Sequence, residues 1–126
     1  MDYPKLVERI KNLAFIADEQ KADAAIKAIL GTYASRMHEK HAKIFTANLP
    51  DPLTFNKLRG HQAHDTNISL AQFTDQIERQ FHLSTEQMQT LLLTVLHAVK
   101  ETIPEDKRRE IEEGLPKEWA SVIEHA

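Results

Sequence analysis

The chain has 126 residues, a formal charge of −3 and no cysteine, which suits one ordinary domain that buries roughly two-thirds of the surface its unfolded form exposes. The missing thiols exclude disulfides, thiolate nucleophiles, zinc ribbons and iron–sulfur ligation. The acidic total argues against general nucleic-acid binding, which needs Lys and Arg clustered on one face.

The opening, MDYPKLVERI, has no basic segment followed by an apolar run, and no window approaches the roughly 20 apolar residues of a membrane span. The expectation is a soluble cytoplasmic protein with neither nucleic acid nor membrane as partner. Leu6, Ile10, Leu13 and Ala14 form the stripe of a first amphipathic helix, with Pro4 suited to its first turn. A second helix begins near Asp18 and buries Ala22, Ile26, Ile29, Leu30, Tyr33 and Met37, with Gly31 weakening it locally by roughly 1 kcal/mol relative to Ala. A short third helix begins at Glu39, whose charge favours a helix N-terminus. It stops at Leu49-Pro50, because proline lacks the N–H for an i−4 carbonyl and disfavours helical geometry in the preceding residue. The stretch from Asp51 to Phe55 reads as a terminal turn or short helix that tucks an aromatic group inward.

The connector RGHQAHDTN, residues 59–67, has Gly, Asp and Asn and lacks apolar periodicity. Beyond it the pattern returns. A shift of 67 residues places Leu6 on Phe73, Ile10 on Ile77, Ile16 on Leu83, Glu19 on Glu86 and Gln20 on Gln87. Ser69 with Gln72 and Ser84 with Gln87 have the spacing of capping boxes, in which hydroxyl and amide satisfy orphan backbone N–H groups. The second helix of this half buries Met88, Leu91, Leu92, Val95, Val99 and Ile103. After it the register slips to 66, so that Phe45 matches Ile111 and Leu49-Pro50 matches Leu115-Pro116. Pro104-Glu105-Asp106 opens the third helix, and the stretch from Lys117 to Val122 carries Trp119 inward.

These signals specify an all-α chain: two tandem repeats of three to four helices, residues 1–58 and 69–126, joined by a connector at 59–68 and packed as one domain over residues 1–126. Each repeat alone is marginal in size, which requires a shared core. Residues 1–50 carry eight basic and six acidic side chains, whereas residues 69–126 carry six and eleven. The run Lys107-Arg108-Arg109 lies between acidic neighbours and reads as a self-neutralised helix surface.

The blocks QKADAAIKAILGTYASRM and ANLP, echoed by EQMQTLLLTVLHAVKETI and EGLP, resemble the bacterial proteins grouped as domain of unknown function 2267. The likeness covers essentially the whole chain. It implies an all-helical doubled architecture and no catalytic residue, since the family has no assigned activity. The alanines of the first block are replaced in the second by Leu91, Leu92 and Leu93, which changes the helix spacing expected there.

Two pairs of histidines, His38 with His41 and His61 with His64, have the His-x-x-His spacing that places two imidazoles on one helix face, where they could share a transition metal. A stable site also wants further ligands, for which Glu39 and Asp65 are the near candidates. The pair is not kept in the second half, where Pro104 and Lys107 align with His38 and His41. No glycine-rich phosphate loop, Gly-x-Ser-x-Gly or His-Glu-x-x-His occurs, and His82 and His97 are expected as partly buried, hydrogen-bonded side chains. The functional expectation is a non-enzymatic interaction or regulatory module without cofactor, in which a groove between the repeats takes a partner helix or a small apolar ligand; the partner is an unidentified protein, or the chain associates with itself. Metal binding by the histidine pairs is the alternative.

Overall fold

Each α-helix starts with backbone N–H groups that no carbonyl within the helix can accept, so the side chains that satisfy them mark where the chain commits to helix. The computed structural model describes residues 1–60 and 67–126, and among these lie eight α-helices and no strand. Helix α1 spans Tyr3–Lys11 with proline in its first turn. The Asp18 carboxylate caps α2 (Glu19–Ser35) by accepting from the Lys21 backbone at 2.8 Å. Both expected capping boxes are formed, Ser69 with Gln72 at the head of α5 (Leu70–Phe81) and Ser84 with Gln87 at the head of α6 (Thr85–Lys100). Glu39 opens α3 (Glu39–Thr46), and Glu105 with Asp106 opens α7 (Glu105–Glu113). The remaining helices are α4 (Phe55–Gly60) and α8 (Lys117–His125).

The Leu-Pro steps end α3 and α7 as expected, and Leu49 and Leu115 are buried beneath them. Past each proline the two halves take different paths. Pro116 is itself the N-cap of α8, so one helix runs directly into the next. In the first half Pro52 excludes helical geometry at Asp51, and the chain makes a turn from Pro50 to Leu53 before α4 begins at Phe55. The inward residue there is Leu53, at 0% exposure, which matches Trp119 at 1%. Phe55 lies at the margin of the core with the Lys43 ammonium 5.4 Å from its ring centre.

Four other expectations are corrected. Helix α1 ends at Lys11, so Leu13 and Ala14 lie beyond it, and the apolar residue buried after the helix is Ile16. The register slip precedes the second helices: the caps Asp18 and Ser84 correspond, Ala17 has no counterpart between Leu83 and Ser84, and Gln87 answers Lys21 rather than Gln20. Helix α4 takes in Arg59 and Gly60, the first residues of the expected connector. His82 and His97 are exposed rather than partly buried; His82 is the left-handed C-cap of α5, with φ 56°, while His97 is hydrogen-bonded as expected, its Nδ1 3.0 Å from the Ala126 main-chain oxygen and its Nε2 2.9 Å from Glu101.

Helix α2 is the hub, packing on α1, α3, α4, α5 and α6, while α1 also meets α6 and α3 meets α7. One contiguous apolar core therefore draws on both halves of the chain. At its centre four rings converge: Tyr33 lies 5.0 Å from Trp119, 6.3 Å from Phe73 and 6.5 Å from Phe45, centroid to centroid. The Tyr33 hydroxyl donates to the Trp119 main-chain carbonyl at 3.2 Å, and burial pushes its pKa well above the usual tyrosine range. At the α3–α7 contact the His41 ring lies so close to Gly114 that a Cβ built there would sit 2.5 Å from its Cγ.

This packing sets three measurable outcomes. Trp119→Ala should cost about 3–5 kcal/mol and Tyr33→Phe about 1 kcal/mol, with a single melting transition in each case because the core is shared. The folded state holds the Tyr33 proton more tightly than the unfolded chain, so this contribution to stability is complete below the free tyrosine pKa of about 10. It declines at higher pH; denaturant titrations from pH 8 to pH 11 should show that decline, and show it less in Tyr33→Phe. Gly114→Ala should cost about 1–3 kcal/mol through overpacking against His41, and in a double-mutant cycle His41→Ala should remove most of that cost.

Candidate functional site

On a helix successive side chains point about 100° apart, so three consecutive leucines cannot all face one core. On α6 Leu91 and Leu92 are buried, and Leu93 is left 39% exposed. It stands at the side of an open groove of about 500 Å³ formed by α5, α6 and α8. Leu70, Ala71 and Thr74 of α5 form one wall, Gln89, Leu92 and Leu93 of α6 the second, and Ser121 and Val122 of α8 the third. The charged and titratable groups of the lining are Glu118 and His125, seven residues apart on α8 and so about 10 Å along its axis. His125 Nδ1 lies 2.8 Å from the Ser121 carbonyl oxygen. That contact places the proton on Nδ1 and leaves Nε2 for another neighbour.

The corresponding surface of the first half is a more polar open groove of about 430 Å³, lined by Tyr3, Val7, Glu8, Glu19, Gln20 and Asp23. In the repeat register Tyr3, Val7, Asp23 and Lys27 answer Leu70, Thr74, Gln89 and Leu93. The Tyr3 hydroxyl donates to the Asp23 carboxylate, and the Lys27 ammonium lies 3.0 Å from the same group. Partial burial, then the bond to Asp23, raises the Tyr3 pKa well above its ordinary value. The cleft between the halves, where α1 meets α6, is mixed: Met1, Leu6 and Ala98 line it together with Asp2, Lys5, Arg9 and Glu101, and Arg9 pairs with Glu101 at 3.7 Å. The structure thus has an open cleft between the halves, where the sequence suggested a groove, and a more aliphatic one within the second half.

His38 is exposed at the N-cap of α3, and His41 sits one turn on with its ring centre 6.3 Å away and tilted by 49°. The two rings are neighbours, but His41 Nδ1 is buried against the protein without a hydrogen-bond partner. Among the described residues no group of three or more His, Asp or Glu is arranged to hold a metal ion. His61 and His64 lie outside the described residues. The buried Nε of Arg36 likewise has no partner, and its guanidinium carbon lies 5.5 Å from the centre of the Trp119 ring system. The groove itself is not among the sequence expectations. Its signal is the Leu91-Leu92-Leu93 run, which bears on helix spacing but also turns one side chain outward.

Among the described residues no helix is long and apolar enough to cross a membrane. Comparison with curated proteins and with solved structures returns no match. A family model described as "uncharacterized conserved protein (DUF2267)" matches residues 3–122. That match takes in all eight helix starts and both Leu-Pro steps, and the chain belongs to the DUF2267 family.

Proposed function

We propose that the protein is a non-enzymatic cytoplasmic interaction module that docks a helical protein surface in the groove between α5, α6 and α8. The observation that carries this reading is Leu93. Apart from Met1 it is the exposed large apolar side chain among the described residues, and it borders a groove with an aliphatic lining, beside Leu70, Leu92 and Val122. Covering a leucine at such a site stabilises a complex by about 25 cal/mol per Å² of apolar surface removed from water. An amphipathic helix presents side chains at the spacing such a groove accepts. The non-enzymatic part of the reading rests on the lining itself. Its one carboxylate and one imidazole lie at opposite ends, too far apart to act on the same bond, where acid–base partners must come within hydrogen-bond reach of the reacting group.

The reading is tested by placing a photo-crosslinking amino acid at position 93 and, as a control, at the exposed Arg109 of α7. Irradiation of cells should give one discrete adduct from position 93 whose partner peptide mass spectrometry identifies, and none from position 109. Equal, diffuse labelling from both positions would refute a docking role for the groove.

A further inference from the structure

Resting on that reading, we propose that the occupant of the groove is a second copy of this chain, related to the first by a two-fold axis passing beside Leu93. A two-fold interface must be complementary to itself, and the lining has the required arrangement. Its middle is uncharged, with Leu93 and Gln89 on α6 and Val122 on α8. Its ends are unlike, with Glu118 near the start of α8 and His125 near its end.

An antiparallel approach of two copies sets each Leu93 into the other's groove and brings each Glu118 to the partner copy's His125. The Ser121 carbonyl already holds the proton on His125 Nδ1, so it is Nε2 that meets the incoming carboxylate. Protonation of Nε2 then makes a charge-assisted hydrogen bond. The acidic character of the second half does not oppose this approach. Five of its eleven acidic residues, Glu105, Asp106, Glu110, Glu112 and Glu113, are on α7, which does not line the groove, and of the charged residues on α5, α6 and α8 (Asp75, Glu78, Arg79, Glu86, Lys100, Lys117, Glu118 and Glu124) Glu118 alone lines it. The corresponding groove of the first half is the more polar, because Tyr3, Asp23 and Lys27 satisfy one another where the second half has Leu70, Gln89 and Leu93. The contact is small, which fits the transient class of interface.

Sedimentation equilibrium of the full chain from about 1 μM to about 1 mM, the range of weak association, should show a monomer–dimer equilibrium. Leu93→Glu should weaken it at least about tenfold, a loss of about 1.4 kcal/mol, while circular dichroism and melting temperature stay unchanged because the side chain is exposed. Glu118→Lys alone and His125→Glu alone should each lose association, since the first sets an ammonium against an imidazole that offers it no negative charge and the second sets two carboxylates face to face. Their equimolar mixture should dimerise again, because the lysine introduced in one variant meets the glutamate introduced in the other while the native pair forms at the second contact. A wild-type chain that stays monomeric throughout, a dimer indifferent to Leu93→Glu, or a mixture that fails to recover association would each overturn the proposal. Should the position 93 crosslink join a different protein while the purified chain stays monomeric, the interaction reading stands and the second-copy proposal fails.

Discussion

The Tyr33 ring fills the junction of four helices and its hydroxyl is spent on the Trp119 carbonyl. This one side chain ties the middle of the first half to the last helix of the second. Burying a phenol without a partner for its O–H carries a desolvation cost, and here the partner is a main-chain oxygen 86 residues away in sequence. The position of α8 is therefore constrained along its axis as well as across it. Trp119 completes the arrangement by stacking on Phe73 at 5.2 Å, and α5 is drawn into the same cluster.

Once that centre is fixed, the two halves cannot remain equivalent. Helix α2 is surrounded by five other helices and is buried on most of its circumference, and its small residues, Ala22, Ala25 and Ala34 with Gly31, let its neighbours approach. Helix α6 carries leucines in the comparable stretch and is the more peripheral of the pair. Bulk on a helix that is not enclosed must emerge somewhere, and it does so at Leu93. The open groove of the second half is in this sense a consequence of the hub position taken by α2 in the first.

Polar chemistry reinforces the asymmetry. In the first half the corresponding surface is occupied by a tyrosine, a carboxylate and an ammonium that satisfy one another, and such a set has little left to offer a partner. The second half puts aliphatic groups there, with a carboxylate and an imidazole held apart at the two ends of the groove. Exposed ion pairs such as Arg9–Glu101 and Lys40–Glu110 cross between the halves, but at full hydration pairs of this kind contribute little. Apolar packing, not surface charge, decides how the halves sit.

The sequence by itself determined the helices and most of their ends, because capping, proline geometry and apolar period act over a few residues. Ser69 and Ser84 cap where their spacing said they would, and Asp18 caps the helix expected to begin near it; α3 and α7 end just ahead of Leu49-Pro50 and Leu115-Pro116, where proline disfavours helical geometry in its neighbour. The inward turn of Trp119 was legible too, from its place after the Leu-Pro step. The register slip is easily misplaced because Glu19-Gln20 and Glu86-Gln87 look alike as letters, whereas only the backbone shows that Asp18 and Ser84 hold the same capping position. Which of two similar helices becomes the hub, that Tyr33 finds the Trp119 carbonyl, and that Leu93 faces outward beside Leu70 and Val122 were decided by the tertiary structure alone. Each depends on residues distant in the chain competing for the same volume, and no local pattern encodes the outcome of that competition.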